Sequence, residues 1–295
     1  MIYKERSIWI MQYVGPPGIF AFRRVIEGLG AISRRAIVEL TNQHFFFGTD
    51  GIYSFDGVSI TPVSDRIAVD FFLALNQGKL HLNNALWVKE DFEVIFPFVS
   101  TSESVPSQAL IYNYVSGAFG YRDLPATAIG SWISQTAQAW DSFASGVTWD
   151  TITGTWDSKS LSASSALYLF GDSSGFIYEM NLVDTKDGSD YEGYFITKVF
   201  DFGKPEIIKR VMRLQPLVTR EGNYDLQIYV ASLETPEDDL VFGAPVTLNL
   251  SPEGDSFVDV DVSGRYFAFK IRTGSKNQHF EMTGFKVYYM ERGIR

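Results

Sequence analysis

Short apolar runs alternate with turn sequences rich in glycine, aspartate and serine through the first part of the chain. Residues 36–60 illustrate the pattern with predicted strands at 36–40, 44–47, 52–55 and 58–60. The Asp56-Gly57 pair is a strong hairpin signal, because both residue types accept the positive φ of a tight turn. This stretch therefore predicts an antiparallel meander.

The same pattern recurs farther along the chain. Predicted strands at 109–114 and 118–123 flank a short glycine turn, and strands at 166–170 and 176–180 flank another. The three units lie about 60 residues apart, slightly longer than a typical propeller blade. One such sheet cannot bury both of its faces, and stacking several sheets radially solves that problem. The repeat favours a β-propeller, with an ordinary sandwich as the alternative.

A helix is predicted within residues 63–75, with Asp65 as its N-cap. Its apolar side chains fall on one face: Ile67, Phe71, Phe72 and Leu75. We interpret this helix as a connection between two blades.

The polar, acidic stretch at 183–194 predicts a domain boundary, because the rhythm changes beyond it. Seven regular strands follow, at 194–200, 208–217, 224–231, 245–250, 257–262, 266–273 and 281–291. About 100 residues with seven short strands are typical of a β-sandwich. The expected fold is thus all-β, with a β-propeller-like domain at 1–190 and a C-terminal β-sandwich at 191–295.

Composition supports this fold and narrows the function. Aromatic residues make up 15% of the 295 residues, and there is no cysteine, which excludes disulfides and cysteine-ligated metals. The formal net charge of −10 argues against tight nucleic-acid binding and suits a surface past which DNA slides. Residues 1–11 lack the apolar core of a secretory signal, and no apolar run approaches the length of a membrane span, so stable membrane insertion is not expected.

The sequence offers little catalytic chemistry. The three histidines have no partner at a metal-ligand spacing, and the acidic run 184–192 fails the ligand pattern of a calcium loop. The run 171–175 matches Gly-x-Ser-x-Gly, but the next residues read as a strand, so a hairpin turn explains it. We therefore predict no enzymatic activity, no cofactor and no metal.

Candidate interface residues lie in two places. A Ser/Thr/Gly-rich loop at 132–161 repeats a Trp-Asp pair at Trp140, Trp149 and Trp156. Arg265 and Tyr266 begin a run in which basic and aromatic residues alternate, as expected for a strand with one solvent-facing row. Buried aromatics and arginines dominate protein interfaces, although filling of gaps between blades also explains the tryptophans.

Several segments, taken in order, carry a resemblance to a known family. They are 4–9, 26–31, the blade-like run 46–57 closing at 62–65, the Trp-Asp repeats, and 263–269 with 283–285. Together they resemble the tail nozzle or hub (tail tubular) proteins of short-tailed bacteriophages. The resemblance covers most of the chain and rests on the order of loose motifs.

The resemblance implies a virion structural protein of the phage tail, assembled in the host cytoplasm. Its expected partners are further copies in a hexameric ring, the adaptor, and fibres or a tail tip, with DNA passing only transiently during ejection. The resemblance begins almost at Met1, inside a blade, so a second chain completing the propeller is expected, unless the propeller is smaller or the β assembly open. A receptor- or glycan-binding tail module is the alternative function.

Overall fold

The all-β prediction is confirmed. A computed structural model describes residues 1–133, 166–181, 188–189, 192–218, 225–251, 256–273 and 282–293. Strands make up 56% of it and helices 5%, and several antiparallel sheets form. The chain divides into two compact units, Met1–Met180 and Asn181–Arg295, whereas the sequence placed the boundary at residue 190.

The described residues of unit 1 form four antiparallel sheets whose strands follow chain order. Sheet I comprises β1 (Ile2–Lys4), β2 (Ser7–Gly15) and β3 (Ile19–Glu27). Sheet II comprises β4 (Ile37–Glu39), β5 (His44–Phe47), β6 (Ile52–Phe55) and β7 (Ile60–Pro62). Sheet III comprises β8 (Leu86–Val88), β9 (Glu93–Phe98), β10 (Gln108–Asn113) and β11 (Ala118–Asp123). Sheet IV comprises β12 (Ala128–Ile133), β13 (Ala166–Gly171) and β14 (Ile177–Glu179).

Each sheet of unit 1 packs against the next one along the chain. Ile8 of sheet I shares a buried cluster with Phe46 of sheet II. Phe47 of sheet II shares the largest cluster of this unit with Phe96 of sheet III. A third cluster joins sheet III to Tyr168 of sheet IV. The described sheets form a row, and no closed propeller or barrel is seen among them.

The predicted helix exists but is shorter than expected. Helix α1 (Ala68–Leu73) begins after Ile67, and no side chain caps it, so the assignment of Asp65 as N-cap is wrong. The neighbouring Ser64 hydroxyl accepts a hydrogen bond from the Ile52 backbone at 2.8 Å and ties this turn to sheet II instead. The predicted apolar face is confirmed, since it packs into the core between sheets II and III with Ile67, Phe71, Phe72 and Leu75. A 3-10 helix follows at Gln77–Leu82, and no helix among the described residues could span a membrane.

Unit 2 contains all seven strands that the sequence predicted. One sheet has the order β15 (Gly193–Ile196), β20 (Tyr266–Thr273), β17 (Asp225–Leu233), β18 (Val246–Asn249). The other has the order β19 (Val258–Gly264), β16 (Ile208–Val218), β21 (Met282–Gly293). Val211 and Leu214 from the second sheet pack with Phe267 and Phe269 from the first in one buried cluster. Two sheets over a shared core make unit 2 a β-sandwich.

A lysine lies in the interior of this sandwich. Lys209 is fully buried, and its Nζ donates to the carbonyl oxygens of Lys204 at 2.5 Å and Arg265 at 2.9 Å. Burial lowers the pKa of Lys209, while the Asp201 and Glu291 carboxylates oppose that shift. The ammonium group thus joins the loop before β16 to the turn before β20.

Candidate assembly surface

The longest hairpin of unit 1 extends beyond the hydrophobic core. Strands β2 and β3 pair over nearly their whole length, but only the base of the hairpin reaches the buried cluster, through Ile8, Val25 and Ile26. Residues 11–24, called the arm below, are exposed except for Gly15 at the tip. Gly15 has a φ of +81°, which glycine adopts at little cost. Strands β2 and β3 therefore form a β arm whose base is anchored in the core of the unit and whose outer part is exposed.

One face of the hairpin is apolar. Side chains alternate along a strand, and directly opposed residues share a face. The register places Trp9, Met11 and Tyr13 on one face of β2, with Arg24, Phe22 and Phe20 opposite them on β3. We call Trp9, Met11, Tyr13, Phe20 and Phe22 the aromatic strip. Its four outer members are 48% to 67% exposed, and the Tyr13 and Phe20 rings pack edge to face at 5.8 Å.

The other face of the arm carries no aromatic ring and mixes polar with aliphatic residues, namely Gln12, Val14, Ala21 and Arg23. The arm therefore has the two-sided pattern of a sheet that packs on one side, although nothing within the described residues covers the apolar side. Contiguous exposed apolar surface of this kind marks interaction sites.

Cations frame the base of the aromatic strip. The Lys4 ammonium lies 4.9 Å from the Trp9 ring centroid, and the Arg24 guanidinium lies 6.0 Å from it. Arg24 also pairs with Glu27 at 2.9 Å. Aromatic residues, methionine and arginine are the types enriched in protein interfaces. The composition of this surface thus fits protein recognition.

The base of the hairpin is fixed from both sides. Gly28 N–H donates to the Arg6 carbonyl at 2.9 Å, and Ala31 N–H donates to the Lys4 carbonyl at 3.1 Å. The Tyr3 hydroxyl lies 2.9 Å from His44 Nδ1 of sheet II, and burial raises the pKa of Tyr3. A neutral phenol held in this way connects sheet I to sheet II.

A second exposed apolar surface lies at the other end of the row of sheets. Strand β14 is the outer strand of sheet IV in the described part of the chain, and Phe176 and Ile177 are 63% and 74% exposed. The turn before them is rigid, since Asp172 Oδ1 accepts the Ser174 and Phe176 N–H groups, both at 2.9 Å. We call Phe176, Ile177 and strand β14 the outer edge of sheet IV. An outer strand offers backbone groups for pairing.

The sequence-derived candidates lie elsewhere. Trp140, Trp149 and Trp156 are outside the described residues. Arg265 and Tyr266 lie together at the start of β20, where Arg265 Nε is 3.5 Å from Glu234 and Tyr266 is half-buried. Their role at an interface stays a prediction. The aromatic strip was missed, and the signal for it was two nearly continuous apolar runs, 8–14 and 19–22, on both sides of the Gly-Pro-Pro-Gly turn.

Two groups of unit 1 with shifted pKa values, Tyr168 and Glu93, lie within the packed sheets and do not line a catalytic cluster among the described residues. The Tyr168 hydroxyl donates to the Glu90 carboxylate and accepts from Lys89 N–H at 3.1 Å. Burial, aided by Glu90, raises the pKa of Tyr168 to about 12, which keeps the phenol protonated as a donor. Burial also raises the pKa of Glu93, and Arg122 opposes it. No described group of three His, Asp or Glu residues could hold a metal ion.

The run 171–175 connects β13 to β14 as a hairpin turn, as predicted: Gly171 pairs with Ile177 across the antiparallel strands. A nucleophile elbow instead needs a helix after the serine. The described geometry therefore gives Ser173 a turn position.

Comparisons with known proteins give no identity. No family model matches the chain, and no curated protein sequence matches it. Among solved structures, similarity is found to an exo-β-1,3-galactanase from Phanerochaete chrysosporium, in a crystal structure with β-1,3-galactotriose. The match has 10% identity and a TM-score of 0.26, and covers 96% of this chain and 75% of the galactanase. A TM-score of this size does not establish a common fold.

Proposed function

We propose that this protein is a structural component of the tail of a short-tailed bacteriophage, a nozzle or hub subunit that extends the DNA channel in a ring and docks other tail proteins. The observation that carries the proposal is the exposed aromatic strip on an anchored arm. Water-exposed aromatic surface of this extent is costly, and another protein chain that covers it recovers the hydrophobic free energy. A subunit of a larger assembly needs such a surface.

The organisation of the chain supports the same proposal. Four antiparallel meanders in chain order, each packed on the next, are the kind of unit from which propellers are built. We propose that sheets I to IV are propeller blades, followed by the C-terminal sandwich that the family resemblance implies. In this proposal the row of blades closes when subunits assemble into the ring, with surfaces supplied by another chain.

The charge of the protein is consistent with a channel. With a net charge of −10, an assembled ring repels the phosphates of DNA that passes through it. Such a ring lets DNA slide during ejection without binding it tightly.

Negative-stain imaging of the purified chain tests the proposal. Rings of about six subunits around a central channel are the expected result for a tail nozzle or hub. Single particles of one 33.2 kDa chain at every concentration would contradict it.

The alternative is a receptor- or glycan-binding tail module, which the exposed ring of Tyr13 also favours because flat aromatic rings stack on sugars. A glycan-binding screen separates the two functions. Specific binding that Trp149→Ala or Tyr13→Ser abolishes would support the alternative, whereas ring assembly without glycan binding supports the structural role.

A further inference from the structure

The aromatic strip and its frame limit the kind of partner that can cover them. The strip itself needs apolar surface. Lys4 at its base favours an acidic neighbour or water, whereas Arg24 already pairs with Glu27. Two strips facing each other in parallel would bring these cations of both copies together, and like charges that lose water in an interface are strongly unfavourable. Two antiparallel strips would instead place the Lys4 ammonium of each copy at the tip of the other arm, and residues 11–24 hold no aspartate or glutamate. A partner surface that is both apolar and acidic therefore fits the strip better than a second strip does.

Charge along the chain is divided in a way that fits self-association. The chain has 25 basic and 35 acidic residues, yet residues 1–35, which contain sheet I, hold six of the basic residues and only two of the acidic ones. These residues are Lys4, Arg6, Arg23, Arg24, Arg34, Arg35, Glu5 and Glu27. The basic first segment is thus complementary to the acidic remainder of a second copy.

The outer edge of sheet IV meets both requirements. It exposes Phe176 and Ile177, and the described residues of this sheet and its turns, 124–133 and 166–180, include Asp172 and Glu179 but no lysine or arginine. It therefore combines exposed apolar side chains at an outer strand with negative charge.

We propose that the aromatic strip of one copy packs on the outer edge of sheet IV of a second copy of this chain. The inference rests on the proposed ring function and names its contact. Sheets I and IV are the first and last of the row, so the contact joins two different surfaces head to tail. Contacts of this type close into rings when the rotation between copies allows it.

Two double variants test the contact. The arm variant, Tyr13→Ser with Phe22→Ser, removes the centre of the aromatic strip. The edge variant, Phe176→Ser with Ile177→Ser, removes the two exposed apolar side chains at the outer edge of sheet IV. All four side chains are largely exposed, so both variants should fold, which circular dichroism and thermal unfolding check.

Native mass spectrometry of the variants, alone and mixed, gives the decisive result. Each variant alone is expected to lose the assembled species and remain a 33.2 kDa monomer. An equal mixture is expected to form dimers and nothing larger, because the arm of the edge variant and the edge of the arm variant are both intact. A control variant on the opposite face of the arm, Gln12→Ser with Ala21→Ser, should assemble like the wild type.

The contrary outcomes are distinguishable. An arm variant that assembles like the wild type would overturn this contact and leave the ring proposal standing. A mixture that stays monomeric while the wild type assembles would also overturn this contact and leave the ring proposal standing. The strip would then bind another tail protein or a different face of a second copy. A monomeric wild type would overturn both proposals.

Discussion

The anchoring of the arm depends on a glycine that leaves no room for a side chain. A Cβ at Gly30 would overlap the Lys4 carbonyl oxygen and lie 3.0 Å from the Glu5 carbonyl carbon. Both are backbone atoms, so no side-chain rotation relieves the overlap. Gly30→Ala therefore requires β1 to move away, and the hydrogen bond from Ala31 N–H to the Lys4 carbonyl is expected to be lost with it.

The expected cost follows from these two effects. Forcing an extra methyl group into a packed site costs about 1–3 kcal/mol, and one lost backbone hydrogen bond costs about 1 kcal/mol. We expect Gly30→Ala to lower the free energy of unfolding of unit 1 by about 2–4 kcal/mol. This is a large share of the roughly 5–15 kcal/mol of a typical domain.

Tryptophan fluorescence in urea measures this loss selectively. Residues 181–295 hold no tryptophan, and Trp9, Trp87 and Trp132 lie in the described part of unit 1, so tryptophan emission follows the unfolding of unit 1. The matched control is Gly120→Ala on β11, where a Cβ meets nothing within 4 Å. Because alanine restricts the unfolded chain, the control should be unchanged or up to about 1 kcal/mol more stable. If Gly30→Ala and Gly120→Ala had equal midpoints, the close approach of Gly30 to β1 would be refuted.

Three further predictions concern other parts of the chain. Phe267→Ala, in the fully buried sandwich core, should lower the stability of unit 2 by about 3–5 kcal/mol in urea followed by near-ultraviolet circular dichroism; a smaller loss than at an exposed residue contradicts the core assignment. Because burial lowers the pKa of Lys209 below 10.5, the unfolded state binds more protons, and wild-type stability should rise relative to Lys209→Met as pH rises toward 10.5; parallel pH curves contradict this. The N–H groups of Ser59 and Val58 lower the pKa of Asp56 from 3.8 to about 2, so stability should fall between pH 3.8 and 2 in the wild type and less so in Asp56→Asn; equal losses refute that prediction.

Local pattern was sufficient for much of the fold. The sandwich strands and the first three strands of sheet II follow from alternating residues and Gly- or Asp-bearing turns, because the side-chain period of a strand is visible in sequence. The fourth strand of sheet II was predicted at 58–60 but forms at Ile60–Pro62, because Val58 and Ser59 belong to the turn. The Asp56-Gly57 turn is an example: Asp56 Oδ1 accepts the Val58 and Ser59 N–H groups within the turn itself. Interactions this local leave a signature that one sequence can carry.

The start of α1 was mispredicted because a tertiary contact decides it. Asp65 has the residue type and spacing of an N-cap, but the Ser64 hydroxyl is committed to the Ile52 backbone in sheet II. That bond joins residues 12 positions apart and holds the segment before Ile67 in a turn. Sequence periodicity correctly predicted which face of the helix is apolar. It does not show where a contact with a neighbouring sheet makes the helix begin later in the chain.

The aromatic strip could not be predicted as exposed surface. Apolar residues at alternate strand positions normally indicate burial, and Met11, Tyr13 and Phe22 carry the same signal as a core strand. An exposed strip differs from a core strand only because the hairpin extends beyond the part that packs on sheet II. The sequence does not show how far sheet II covers the hairpin. The predicted interface residues Trp140, Trp149 and Trp156 lie outside the described residues and stay predictions.

If this chain is a subunit of a ring, the mass of the purified wild-type protein in solution must exceed that of one chain. Light scattering on a sizing column gives this mass without assuming a shape. We expect a species of about six 33.2 kDa chains, which high salt weakens because complementary charge contributes to the contact. A wild-type protein that stays at the mass of one chain, with its arm exposed, would contradict it.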